Sequence, residues 1–270
     1  MVALPMSLLT TAAVAGFNLT TLISFEGGAG QAVDQAQWNI ITNVNYNNEV
    51  QEYSTSTENL QLSGSGTLLI IPRKSATGQW TSGRIESKAS YTPEEGKVTR
   101  FQSLLRFGDS PDSKQQSIWP AFWMLGDVQR TQDIDWPMCG ELDIMERKNG
   151  EKLNHGTPHC GPGDAPCGAM SKTITLPDND WHTYSLEVDR TNGDWKEQTL
   201  KWMMDDKEYN TRKGREFEEE SIWKSVAHSP MYFILNVAVG GNWPGAPNDL
   251  TADGMANMLE VKYIGVYHST

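Results

Sequence analysis

Apolar and polar residues alternate along much of this chain with a period of two. In "WHTYSLEVD" Tyr184, Leu186 and Val188 alternate with polar neighbours, and in "TLKWMMDD" Leu200, Trp202 and Met204 do the same. That period lines one face of a β-strand. "SGTLLIIPRK", "VTRFQSLLRF", "SIWPAFWML", "MYFILNVAVGG" and "LEVKYIGVY" also have the length and composition of strands. The near-continuous apolar run from Met231 to Val239 predicts a central strand buried on both faces. One helical stretch stands out, "EEESIWKSVA", where Ile222 and Val226 are four apart. Many strands and almost no helix predict an all-β fold, a sandwich of packed sheets.

One strand carries acids where the pattern predicts burial. In "CGELDIMERK" Glu141, Asp143 and Glu146 lie among Leu142, Ile144 and Met145. In a regular strand Glu141 and Asp143 share a face, and Glu146, five positions on, points the other way. One extra residue, a β-bulge around Ile144 and Met145, restores the phase and puts all three acids on one face. At ~3.3 Å per residue the backbones of Glu141 and Glu146 are then roughly 13 Å apart. Two long side chains leaning over a short aspartate close much of that gap, toward the ~5 to 5.5 Å carboxyl spacing of a retaining glycosidase. In such a pair one carboxylate attacks the anomeric carbon and the other protonates the leaving oxygen. Asp143 is expected to hydrogen-bond between them, so that the three titrate as a set.

Composition narrows the partners. A formal net charge of -12 repels nucleic-acid phosphates and anionic lipid, which leaves a neutral or cationic partner. The first residues, "MVALPMSLLTTAAVAGF", read as an apolar leader ending in Ala13, Val14 and Ala15, or else as a native first strand; several Thr and Asn residues break the run below the ~20 apolar residues of a membrane span. Residues 16–270 are read as a single catalytic domain, with 1–15 as leader or N-terminal extension. Cys160 and Cys167 bracket "CGPGDAPC", and a disulfide between them with Cys139 as a small buried apolar residue is the economical pairing. Three free thiols in a cytosolic protein are the alternative. The leader and the cysteines together place the protein outside the cell.

Ten tryptophans exceed what a core of this size takes, and an indole face suits a pyranose ring. Trp38, Trp181, Trp195, Trp202 and Trp223 are assigned to the core.

Taken together, "WPMCGELDIME", "IWPAFWML" before it and "LNVAVGGNWPG" far downstream resemble glycoside hydrolase family 16, most of all its endo-1,3-β-glucanase or laminarinase-type branch. The resemblance runs from about residue 25 to 267. It implies a β-jelly-roll sandwich of two antiparallel sheets with a glycan cleft across the concave one, and a retaining double displacement. On the matching positions Glu141 is the nucleophile, Glu146 the acid/base and Asp143 the assisting aspartate. Two residues between Asp143 and Glu146 resemble the bulged laminarinase motif rather than that of the unbulged lichenases.

The resemblance also implies a cleft lined by Trp123, Trp136 and Trp243, with Trp119 left in the core. Arg84 in "SGRIESK" matches an arginine that bonds substrate hydroxyls, and Asn47 and Glu49 in "YNNEVQEY" sit where the family opens its cleft. His159 in "HGTPHCG" matches a histidine facing the positive subsites, and His155 shares its strand parity. Read as a zinc pair, the two histidines would need a helix that Gly156 and Pro158 oppose, so no catalytic metal is expected. Many relatives hold a structural calcium through an aspartate in the last strand; here Lys262 stands there, an ammonium that can stand in for the cation, so a structural calcium at that place is left open rather than expected. No cofactor is required. The expected partner is a β-glucan polysaccharide or oligosaccharide, acted on by a monomer. Alternatives are a mixed-linkage 1,3-1,4-β-glucan or β-1,3-galactan as substrate, transglycosylation through the same intermediate, and a non-catalytic β-glucan-binding module.

Overall fold

The computed structural model describes residues 13–270, so most of the leader expected over residues 1–15 lies outside the described residues. Residues Phe17–Ser24 form a strand that pairs antiparallel with the last one, Leu259–Ser269. Two large antiparallel sheets face each other as a β-jelly-roll sandwich. The first runs Lys207–Lys213, Thr199–Met204, His182–Asp189, Val98–Phe107, Leu259–Ser269, Leu68–Ile70 and Leu60–Leu62 in spatial order. The second, which carries the acids, runs Lys172–Thr175, Leu153–His159, Glu141–Glu146, Ile118–Gly126, Met231–Val239, Arg84–Ser87 and Trp38–Ile40. Among the described residues no helix is long and apolar enough to cross a membrane.

The period of two sets which face is buried. Tyr184, Leu186 and Val188 stand opposite Met204, Trp202 and Leu200, and these side chains turn into the core. Two residues, Asp205 and Asp206, join Thr199–Met204 to Lys207–Lys213. Both have positive φ (48° and 60°), the backbone that a two-residue hairpin turn demands. From the acidic sheet Phe122, Leu142, Ile144 and Phe233 enter the same core; Phe233 stacks on Phe122 at 5.8 Å between ring centroids and meets Phe101 of the other sheet edge-on at the same distance. Met231–Val239 is buried at all nine positions, as its unbroken apolar run predicts. The helix Glu220–Ala227 buries Ile222, Trp223, Val226 and Ala227.

Two of the tryptophans assigned to the core are half-buried instead. Trp195 packs at the core's edge, and Trp181 lies on the surface beneath the Arg106 guanidinium, 5.2 Å from its ring. Each follows a loop, where alternation gives no inside and outside. Trp38, Trp202 and Trp223 are in the core. Cys160 and Cys167 are bonded and Cys139 is a buried thiol. Lys262 donates from Nζ to the Ser65 carbonyl at 3.0 Å.

Candidate active site

The acidic strand pairs with Ile118–Gly126 on one side and Leu153–His159 on the other, and both ladders slip at the same place. Trp123 faces Asp143 but Phe122 faces Met145; Asp143 faces Thr157 but Glu146 faces His155. One extra residue therefore sits in the strand between Asp143 and Glu146. This bulge brings Glu141, Asp143 and Glu146 onto one face and leaves Leu142, Ile144 and Met145 in the core.

A bulge leaves ladder groups unpaired, and side chains from beneath take them up. Asn154 accepts the Glu146 backbone N–H at 3.0 Å and donates to the Ile144 carbonyl at 3.4 Å and the Tyr209 hydroxyl at 2.8 Å. Trp202 reaches across from the other sheet and donates from Nε1 to the Asp143 carbonyl at 2.7 Å. Gly156 makes the room. A Cβ there would lie 2.5 Å from the Tyr209 hydroxyl and 2.6 Å from the Trp202 ring.

Above the bulge lies a cleft of about 710 Å³ whose lining includes all the expected site residues: Arg84, Asn47, Glu49, Trp123, Trp136, His155, His159 and Trp243 beside the three acids. At one end Trp123 donates from Nε1 to Asn236 at 2.7 Å, and Arg84 lies 5.0 Å from its ring while holding Glu86 at 2.7 Å. Asn236 in turn donates to the Tyr53 hydroxyl at 3.2 Å, and Tyr53 and Gln51 both donate to Glu49. Glu49 thus braces the cleft floor. At the other end Trp243 meets Trp119 and His155 edge-on at 5.3 and 4.9 Å. Its loop is tied to the chain at Asn47, whose carbonyl accepts the Asn242 N–H at 2.7 Å.

The two glutamates share burial, the Asp143 charge and the His159 ring, and differ in their remaining partners. Burial first and the Asp143 charge second push Glu141 up to about 8, while His159, Arg84 and the Trp136 N–H pull the other way. Glu146 is pushed well above the usual carboxylate range by burial and then by Asp143, opposed chiefly by the Trp119 indole, which donates to Oε1 at 2.7 Å. Burial opposes a charged His159, but hydrogen bonds to Asp143 and Asp164 outweigh it and raise the ring to about 11. Its Nε2 lies 3.3 Å from Asp143 and 3.9 Å from Glu141. Glu141, Asp143 and His159 are close enough to surround a cation. A protonated imidazole has no lone pair to offer one, so the set is better matched to holding protons.

Trp119 overturns its assignment to the core. It is partly exposed, lines the cleft and holds Glu146. The signal was available: Trp119 and Trp123 are four apart in one strand and so share a face. Asn236, the one polar residue in "MYFILNVAV", likewise marks the side of that strand that lines the cleft. Asn154 and Trp202 bond the backbone of the acidic strand, and Asp164 bonds His159, from other strands and loops with no local signature.

Residues 33–219 match the family model of an XgeA-like, catalytic GH16 domain. The endo-1,3-beta-glucanase of Streptomyces sioyaensis, known from a crystal structure, superposes with a TM-score of 0.87 at 32% identity, over 96% of this chain and 99% of that one. A glucan endo-1,3-beta-glucosidase of Cryptopygus antarcticus is 30% identical over 88% of both chains. The glucan endo-1,3-beta-glucosidase A1 of Niallia circulans is 30% identical over 96% of this chain. This chain spans only 39% of that protein's length and 30% of another curated relative it matches. The match covers the bulged strand and most of the cleft around it, and the chain belongs to glycoside hydrolase family 16.

Proposed function

We propose that this protein is a retaining endo-β-1,3-glucanase that cleaves laminarin-type glucans by double displacement. One observation carries the reading: the bulge sets Glu141 and Glu146 on the same cleft face with Asp143 between them. Glu141, beside His159 and Arg84, attacks the anomeric carbon as the carboxylate. Glu146, whose Oε1 accepts the Trp119 indole N–H, gives its proton to the departing glycosidic oxygen. The glycosyl–Glu141 ester then meets water; Glu146 takes the water's proton, the water oxygen bonds to the anomeric carbon, and Glu141 leaves. Asp143, gripped by His159, raises both glutamates through its charge. Trp119, Trp123, Trp136 and Trp243 offer apolar faces along the groove for successive sugar rings.

The partner is a neutral β-glucan, in keeping with the acidic chain. The Cys160–Cys167 bond supports an oxidising, extracellular setting. The Lys262 ammonium on the Ser65 carbonyl supports a last strand that keeps its place without calcium.

The test is release of reducing ends from laminarin, lichenan and β-1,3-galactan side by side, with the anomeric configuration of the first products followed by NMR. Fast release of a ladder of β-configured oligosaccharides from laminarin is the expected outcome. An α-configured first product, or laminarin left intact while galactan is cut, would overturn the reading.

A further inference from the structure

The disulfide-closed loop 160–167 takes no part in the mechanism above, yet it begins directly after the strand that ends at His159. Within it Asp164 adopts positive φ (65°) and turns its carboxylate back toward that strand. Its Oδ2 lies 2.7 Å from His159 Nδ1, and its Oδ1 accepts the Cys160 N–H at 3.2 Å. Two glycines make the turn feasible. A Cβ on Gly168 would lie 2.2 Å from Asp164 Oδ2, and one on Gly161 2.3 Å from the Ala165 carbonyl. On the far edge of the imidazole Nε2 faces Asp143 and Glu141, while the Trp136 ring lies 5.6 Å from the imidazole.

We propose that Asp164 is a positioning residue: held out by the disulfide-closed loop, it fixes the His159 ring with Nε2–H turned to Asp143 and Glu141, so that the loop takes part in catalysis through His159. This rests on the glucanase reading above. An imidazole that meets carboxylates at both nitrogens donates from both, and is then a cation beside the nucleophile. The titratable groups facing the ring are Asp164 from the loop and Glu141 and Asp143 from the acidic strand. Without Asp164 the ring is free to turn or to lose a proton, and Glu141 loses its nearest positive charge. The disulfide confines the carboxylate in an eight-residue loop rather than leaving it on a mobile one.

The experiment compares Asp164→Asn and Asp164→Ala with the wild type in three readouts: kcat and KM on laminarin, the imidazole nitrogen shifts of His159 (assigned by difference from His159→Gln), and the melting temperature. Asp164→Asn removes the charge and keeps a single acceptor oxygen, enough for the Cys160 N–H or for His159 Nδ1–H but not for both. It is expected to lose about threefold in kcat. Asp164→Ala loses the contact as well and is expected to fall by about tenfold or more, with KM within about twofold and a His159 spectrum showing a neutral or mixed-tautomer ring. Wild-type kcat with an unchanged His159 spectrum in Asp164→Ala would overturn the proposal, as would a change confined to KM. Should Asp164→Ala fail to fold, the spectrum and kcat of Asp164→Asn decide, and wild-type values in both count against Asp164. If the wild type does not cut laminarin, the glucanase reading fails on its own, while the imidazole shifts still report whether Asp164 fixes the ring.

Discussion

Glu141 and Glu146 are the same residue type on the same strand, and the roles proposed for them differ. His159 and Arg84 stand near the first, and an indole N–H from Trp119 near the second. The division is testable by chemical rescue. In Glu141→Ala, azide fills the space of the missing carboxylate, displaces an activated leaving group directly and yields an α-glucosyl azide. In Glu146→Ala the ester on Glu141 still forms, azide attacks it from the opposite side, and the product is β-configured. Each variant is expected to lose about 10³-fold or more in kcat/KM without azide. Product configurations in the reverse order would exchange the two roles. Asp143, between them in sequence, is read here as a charge held by His159, a pairing that no count of residues along one strand reveals.

The bulged strand needs support that a regular strand does not. Its displaced backbone groups are met by Asn154, which donates in turn to the Tyr209 hydroxyl, and by Trp202, and Gly156 leaves the space that Tyr209 and Trp202 occupy. Gly156→Ala places a Cβ against the buried Trp202 ring and the hydroxyl of the half-buried Tyr209. It is expected to lower stability by about 1–3 kcal/mol and to reduce kcat more than binding, because the bulge moves while the cleft walls stay. Chemical denaturation and laminarin kinetics check both halves, and a variant with wild-type values in each would remove Gly156 from the account. The tryptophan strand shows the opposite case. There a regular period of two is enough to aim Trp119 and Trp123 into the cleft together, and parity alone corrects the assignment of Trp119 to the core.

The buried charges also set how the molecule responds to pH. A group whose pKa is raised on folding binds more protons in the folded state, so stability falls as pH rises between its unfolded and folded values. For Glu141 that window runs from 4.5 to about 8, and for His159 from 6.5 to about 11. His228, lowered to about 4 first by burial and then by Arg190, works the other way below its ordinary 6.5, which obscures the more acidic side. Between pH 6.5 and 8 Glu141 and His159 act together, and Glu146 and His182, also raised, act in the same direction. The melting temperature is therefore expected to fall over this interval by a few degrees. Glu141→Gln should flatten the fall and be more stable than the wild type at pH 8. A wild-type curve that is flat or rising there, or a Glu141→Gln curve parallel to it, would contradict this.

Local pattern alone determined the strand class of the chain, the burial of Met231–Val239, the helix at Glu220–Ala227, the Cys160–Cys167 pairing and the bulge that gathers three acids. All of these follow from side-chain parity, apolar period or short-range spacing, which are properties of neighbours in sequence. The resemblance to family 16 added the roles of the acids and the cleft residues. Only the folded molecule brought Trp202, Asn154 and Tyr209 under the bulge, tied Glu49 to Tyr53 and Gln51, and turned Asp164 onto His159. Those contacts join different strands, sheets and loops, and the residues making them are ordinary core or turn residues in their own segments. What a buried carboxylate does depends on which charges and donors end up within a few ångströms of it, and that distance is decided by how the two sheets pack.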